Sequence, residues 1–569
     1  MGSALSLTSR ANLWLTAALL AASWLIYRAL LFRKSVQRIG DHPGFRSLLS
    51  DMNIIAYLIP SGIPYVNDHI GWQWREKRLR NKRLDTSLVS SVSFIDNRIT
   101  YTVSSPEACR ILNGDRRKFQ KPVKAYEILK VFGSNIVVTE GEEWRRHRKI
   151  VVPGFSEKVF ELVWNTSSWI TFELFKSEGW SALAPGRGMD VLNIPELTLR
   201  VTLAVLSTAS FGAPLSWKQD PQASRPAGHE MSFVEAISEV SENIFWLLAM
   251  PKFVYKLPIP KIQRIGLADR ELRSYMHSMI QTRREEIKNG EYSAKDDLFN
   301  ALVSASMKEE SEGKGGGGGL TDDELVGNTF IMALAGHETS SHTLAFAIAY
   351  LALDPEKQAW LFEELSEVYP PSHVSTYADF SRLPRTLAVI YETLRLHPAV
   401  VYIPKYATED TWLPDDPDVD SEGRGRRVFV PKGTQCGIDT VGLHRHPRHW
   451  KDPDSFRPER FLQDYNRDAF APFSAGARAC IGRKFAEVEM VAVLSLLVRT
   501  YQIIPLGTPD PSDIETGADY TASSHEPTLP DLLTEKLLET KPGVTLTPRE
   551  IGVRLVKRRG GDVWRTEDE

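Results

Sequence analysis

A mainly α-helical fold with small β-sheets, preceded by one N-terminal transmembrane helix, is what the sequence predicts. Three observations carry it. An almost wholly apolar run extends from Leu13 to Phe32. Apolar residues recur at helical spacing through much of the chain beyond Ile194. A capping box at Thr321-Asp-Asp-Glu324 opens a helix that continues to Leu353, where Asp354-Pro355 ends it.

Length alone would allow two or more domains in 569 residues. There is neither an internal repeat nor a second set of chemistry-bearing motifs, so one large body is expected. The divisions are 1–12, a lumenal N-terminus; 13–32, a signal-anchor; 33–94, a membrane-proximal linker and the start of the body; and 95–569, the body itself. A formal net charge of −3 gives no reason to expect nucleic acid. Cys109, Cys436 and Cys480 are odd in number and far apart, which suggests neither a disulfide framework nor a zinc site and places the body in a reducing compartment.

The apolar run is interrupted only by Arg28, and about 20 residues suffice to cross a bilayer. Trp14 and Tyr27 suit the interfacial belts, and Arg28 lies near enough to the end to snorkel. Arg33, Lys34 and Arg38 follow it, whereas Arg10 stands alone on the other side, so the body should face the cytosol. A cleaved signal peptide would have a shorter apolar region and a small-residue cleavage site; a mitochondrial presequence would be amphipathic and Arg-rich. His42-Pro43-Gly44 is the only hinge signal after the anchor. Asn165-Thr166-Ser167 is a glycosylation sequon that a cytosolic face would leave unmodified.

In the body, helices are expected over Ile194–Phe211, Phe233–Leu248, Ile262–Lys288 and Asp296–Met307. Gly313–Gly319 reads as a surface loop; it lacks the Gly-Lys-Ser/Thr ending of a phosphate-cradling loop. The helix from Thr321 carries Gly336, His337, Glu338 and Thr339 in its middle. Apolar Ile331–Leu334 before them and Ala345–Ala349 after them argue that Glu338 and Thr339 are buried and need partners, while His337 reads as a structural, pocket-lining histidine. Glu392 and Arg395 share a helix face at a spacing of three. Trp144 and Arg148 are one helical turn apart in a basic run, Arg145 to Lys149, whose plain reading is surface charge. Lys405 falls on a strand after Pro398.

One segment remains: Phe473-Ser-Ala-Gly476-Ala-Arg478-Ala-Cys480-Ile-Gly482. It sets a cysteine on a glycine-punctuated turn with a helical pattern after it. Alone, Cys480 would read as a small buried hydrophobe. The segment matches Phe-x-x-Gly-x-Arg-x-Cys-x-Gly at every fixed position. With Ala335-Gly336-His337-Glu338-Thr339, Glu392-x-x-Arg395, Phe456-Arg-Pro458-Glu459-Arg460-Phe461 and Trp144-x-x-x-Arg148 it resembles the cytochrome P-450 family, fungal microsomal type, over roughly 95–556.

The resemblance implies the cytochrome P-450 fold and a haem-thiolate monooxygenase. Cys480 would be the axial thiolate of haem b, pushing electron density onto iron. Phe473, Gly476 and Gly482 would shape the loop, the glycines letting backbone approach the macrocycle. Arg478, Trp144, Arg148 and Lys405 would hold the propionates, Lys405 as a point charge where many relatives have a forked arginine. Gly336 would leave room for dioxygen beside a locally widened helix, and Glu338 with Thr339 would deliver protons. Glu392, Arg395 and Arg460 would form a structural ion-pair triad.

Electrons would come from NADPH through NADPH–cytochrome P-450 reductase, with cytochrome b5 as a second donor, because no dinucleotide fingerprint is present. Arg145–Lys149, Arg445, Arg448, Arg483 and Lys484 could form the docking face. A lipophilic substrate is expected, a terpenoid or steroid of secondary metabolism first, then fatty acids or xenobiotics. The enzyme would sit on the endoplasmic reticulum membrane. A haem-thiolate isomerase or dehydratase, and a non-catalytic haem carrier, are the rivals; neither needs the Glu338–Thr339 pair.

Overall fold

The computed structural model describes every residue except 1, 52, 54, 57–58, 61, 213–216, 218–224, 227, 291–296, 312–318, 371–372, 417–425, 507–533, 542–544 and 561–569. The glycine run, apart from Gly319, and Asp296 thus lie outside the described residues. The chain forms two compact units: Met1–Pro122, Val400–Ser455 and Asn466–Ala479 make the first, Val123–Ala399, Phe456–Tyr465 and Cys480–Glu569 the second. The stretch read from the sequence as one catalytic domain contributes to both.

The first unit begins with helix α1, Gly2–Arg38. Its Trp14–Arg38 portion is long and apolar enough to cross a membrane. Residues 14–27 are exposed, but Phe32 and Val36 pack against the unit's apolar core. Arg28, near the end of the apolar run, is tied to the unit: its Nη2 donates to Phe94 O at 2.7 Å and also to Ile95 O. The helix leaves the protein body near Arg28, several residues before the end of the apolar run.

That core lies against a six-stranded sheet of β1 (Gly44–Ser47), β2 (Leu88–Ser93), β3 (Ile99–Val103), β4 (Phe119–Gln120), β5 (Tyr402–Ala407) and β6 (Gln435–Asp439), in the order β1-β2-β3-β6-β5-β4. β1 runs parallel to β2 and β3 parallel to β6; the other pairs are antiparallel. Valine, isoleucine, threonine and tyrosine dominate β3, as a pleated, half-covered surface favours. Leu88, Val92, Tyr101, Val103, Cys109, Cys436 and Ile438 are buried in the core. Burial pushes the Cys109 and Cys436 thiols up, so both are packing residues.

The second unit is helical. Its main elements are α2 (Gly141–Val151), α3 (Ile194–Phe211), α4 (Asp322–Leu353), α5 (Pro384–Leu396) and α6 (Arg483–Thr500). The α4 capping box forms as expected: Thr321 Oγ1 accepts from Glu324 N at 3.2 Å and Glu324 Oε2 from Thr321 N at 2.9 Å. α4 packs along α3 and buries Leu344, Phe346, Ile348 and Leu351; each such side chain contributes about 1.5–3 kcal/mol. Three further strands, Gly188–Val191, Tyr501–Pro505 and Val553–Lys557, form a sheet, and β7 (Thr540–Lys541) pairs with β8 (Thr547–Pro548).

Two helix expectations need correction. The segment 233–248 is two helices, Phe233–Glu242 and Ile244–Ala249, broken at Asn243, whose side-chain amide turns back to Glu239 O at 2.9 Å. The helix expected over Asp296–Met307 is Leu298–Ser311, starting where Asp297 Oδ1 accepts from Asn300 N at 2.7 Å.

Candidate active site

Cys480 stands just before α6, with Gly482 as the N-cap. Unlike the other two cysteines it is exposed. Burial nevertheless pushes its thiol up, against the opposing pull of the Gly482 N–H and the Arg483 charge. A side chain with accessible surface and a desolvated surrounding lines a hollow. The helix N-terminus, an N–H and a guanidinium beside the sulfur are what favours a thiolate once a cation faces it.

The loop before Cys480 belongs to the first unit. Ser474 and Gly476 adopt positive φ, 58° and 69°, and a short 3₁₀ turn covers Gly476–Arg478. A Cβ at Gly476 would lie 2.5 Å from Asn113 O. Glycine is required there by the turn and by helix Pro106–Gly114, a reason the sequence did not disclose. Gly482 differs: its φ is −83° and a Cβ there would make only ordinary contacts, 3.9 Å from Phe155 Cε1 and 4.0 Å from the Cys480 sulfur. Phe473 and Arg478 are half-buried, and Lys405 is buried on β5 opposite Cys436. Phe473, Gly476, Arg478 and Lys405 belong to the first unit and Gly482 to the second.

In the second unit α4 is a core helix with an opening in its middle. Ala335 is exposed and Gly336, Glu338 and Thr339 are half-buried, while Ile331, Ala333, Leu334, Ser340 and Ser341 are buried. Thr339 Oγ1 donates to Ala335 O at 2.9 Å, one turn back. The expected local widening is not there; α4 is α-helical throughout. Gly336 also has a different reason: a Cβ would sit 2.9 Å from Leu206 Cδ1 of α3, so the glycine lets two helices approach rather than facing the opening. His337 is structural, buried, with Nδ1 2.6 Å from Ala333 O, and its carbonyl accepts from Thr202 Oγ1 at 3.0 Å. Burial pushes Glu338 up, and Thr545, whose hydroxyl donates to Oε1 at 2.8 Å, pulls it back.

On α2 the Arg148 guanidinium lies 5.6 Å from the ring centre of buried Trp144, a cation–π contact that orders it. Glu392, Arg395 and Arg460 come together. Glu392 accepts from Arg395 Nε at 2.7 Å, Arg395 Nη2 at 2.9 Å, Arg460 Nε at 3.1 Å and Arg457 N at 2.7 Å. The basic docking face is weaker than expected. Arg145 and Arg146 pair with Glu142 and Glu324, Arg483 pairs with Glu487, and within the first unit Arg445 pairs with Asp454 and Arg448 with Asp416.

Sequence reasoning missed Thr545, His342 and Glu489. Glu489, wholly buried on α6 with Ser340 alongside, is pushed up to about 8 by burial; an acid directly before the apolar run Met490-Val-Ala-Val-Leu494 was its signal. Thr545 had none, because its link to Glu338 spans 207 positions.

The residues present fit a haem. An exposed thiol precedes a helix N-terminus, and α4 opens at Ala335 with an acid and an alcohol at the rim. The profile of the cytochrome P-450 family matches residues 94–528. Cytochrome P-450 monooxygenase 124 of Postia placenta is 37% identical over 523 residues, covering 91% of this chain and 94% of its own length. Cytochrome P-450 monooxygenase prx9 of Penicillium rubens is 29% identical, covering 76% and 78%. The crystal structure of the cytochrome P-450DA haem domain shares the fold, with a TM-score of 0.66 at 20% identity over 92% of this chain and 99% of that one. The chain belongs to the cytochrome P-450 family and is an oxygen-incorporating oxidoreductase of the monooxygenase class.

Proposed function

We propose that this protein is a membrane-anchored monooxygenase of the endoplasmic reticulum that inserts one oxygen atom into a C–H bond of a lipophilic substrate, a terpenoid or steroid of secondary metabolism. Electrons come from NADPH through NADPH–cytochrome P-450 reductase, with cytochrome b5 as a second donor. The observation that carries the reading is the half-open Glu338–Thr339 pair in an otherwise buried apolar helix. An acid and an alcohol at such an opening suit the delivery of protons into it.

Haem, when bound, supplies dioxygen binding and activation. The chain's own residues do the rest. Cys480 offers the thiolate, with the Gly482 N–H and Arg483 moderating its charge. In the second unit Arg148, ordered on Trp144, carries positive charge of the kind a propionate needs; in the first unit Arg478 and Lys405 each do the same. Burial pushes Glu338 up, which suits it to take up a proton and pass it to the side of Thr339. Glu392 with its arginines fixes α5 to the segment 456–465. Stacked Phe132 and Phe330, with Ile331 and Leu334, give α4 an apolar flank that suits a hydrocarbon skeleton and excludes water.

The anchor is α1, and the excess of basic residues after its apolar run favours a cytosolic body. The test is turnover with NADPH and a purified reductase on a panel of terpenoids and steroids under isotopically labelled dioxygen. One labelled oxygen per product, absent without reductase, is expected. Reductase-independent rearrangement without label would refute the reading.

A further inference from the structure

Glu338 is not alone at the opening of α4. Thr545, in the turn before β8, donates its hydroxyl to Glu338 Oε1 at 2.8 Å and lies 3.0 Å from His342 Nδ1. His342 is four residues beyond Glu338, on the same face of α4. It is buried, with 7% exposure. One hydroxyl therefore joins an acid and an imidazole in a site where an unmade hydrogen bond is costly.

A hydroxyl has one proton to give and two lone pairs to offer. While Glu338 is a carboxylate, the Thr545 proton points at Oε1 and Oγ1 receives the Nδ1–H of His342. When Glu338 is protonated, its own O–H donates to Oγ1 and the Thr545 proton turns to a bare Nδ1. The imidazole is neutral in both arrangements and differs only in which nitrogen carries its proton, so the net change is the one proton gained by Glu338. Burial, then the charges of His337 and Lys541, hold His342 down at about 4, in keeping with a neutral ring.

We propose that Thr545 is a positioning residue of the proton relay: its hydroxyl, shared between Glu338 and His342, holds the Glu338 carboxyl in place and keeps it hydrogen-bonded in both protonation states. This rests on the reading of Glu338 and Thr339 as the proton-delivering pair. A serine fills the role and a valine of the same shape does not.

The test compares wild type, Thr545→Val and Thr545→Ser as full-length, haem-loaded proteins of matched haem content. The first readout is the infrared C=O stretch of protonated Glu338, identified as the band that Glu338→Gln removes, followed through a pH titration. Thr545→Val should shift the band and move its titration to higher pH, because a donor to the carboxylate is gone; Thr545→Ser should restore both. The second readout is product formed per NADPH consumed, which Thr545→Val should lower roughly tenfold, the size of one hydrogen bond to a charged group.

A Thr545→Val protein with wild-type band and coupling overturns the proposal, as does a shifted band with unchanged coupling. If Thr545→Val fails to fold, Thr545→Ala is measured against the same outcomes. Thr339→Ala and Glu338→Gln run alongside: if they too leave coupling intact, the underlying relay reading has failed rather than the role of Thr545.

Discussion

Replacing Glu392 with alanine tests the scaffold most sharply. The Glu392 and Arg395 side chains are both 0% exposed, and the carboxylate takes two bonds from Arg395, one from Arg460 and one from the Arg457 amide. Glu392→Ala removes all four acceptor contacts at once and leaves the Arg395 charge buried without its carboxylate. Breaking a buried pair from one side costs about 3–5 kcal/mol, against a total stability of about 5–15 kcal/mol. At roughly 2 °C per kcal/mol for a large domain, the midpoint should fall by about 6–10 °C. Thermal unfolding of the full chain in detergent, followed by circular dichroism and fluorescence together, reads this directly. Glu392→Gln keeps an oxygen where the Arg457 and Arg460 donors converge and should cost less. Arg460→Ala should cost least, because Arg460 is 13% exposed and Arg395 still forks onto the carboxylate. A Glu392→Ala midpoint within about 2 °C of wild type would refute the reasoning, since it would mean the buried charge finds compensation elsewhere.

Gly476→Ala should lower haem retention, measured as Soret absorbance per protein, because the turn needs φ 69° and the new Cβ would meet Asn113 O at 2.5 Å. Gly336→Ala should cost about 1–3 kcal/mol through overpacking on Leu206, and Leu206→Val should recover part of it in the double variant, as read by unfolding midpoints. Burial pushes Glu324 up, but the Arg146 hydrogen bonds, the Thr321 amide and the Arg146 charge outweigh it and hold the carboxyl at about 2 against an ordinary 4.5. That stability is full above pH 4.5 and is lost as pH falls toward 2, a loss Arg146→Ala should shrink in acid-unfolding curves, leaving the part due to the Thr321 amide. Glu489 has the opposite sign: between its ordinary 4.5 and about 8 the folded state keeps a proton that the unfolded chain has released. Stability should therefore decline across that window, and Glu489→Gln should flatten the slope.

Much of this site was legible because local patterns carried it. The capping box at Thr321, the Glu392–Arg395 spacing and helix Ile194–Phe211 each depend on neighbours a few positions away, and the structure shows all three. The exceptions are long-range. The carbonyls of Phe94 and Ile95 that hold Arg28 could not be read from its surroundings, because they are more than 60 positions distant. Gly336 and Gly476 were recognised as necessary, but the reasons, Leu206 and Asn113, belong to packing between elements. Basic residues counted as a docking face proved to pair with Glu324, Asp454 and Asp416, none of which periodicity could connect to them. Asn243 broke a continuous apolar pattern because its amide competes for a backbone carbonyl.

The central claim is that Cys480 holds haem iron through its sulfur. The carbon monoxide difference spectrum of the reduced, full-length protein tests it most directly, with Cys480→Ala prepared in parallel. A Soret band far to the red in wild type, absent from the variant, is the predicted result. A folded, haem-replete wild type without that band, or a variant that keeps it, would contradict the account.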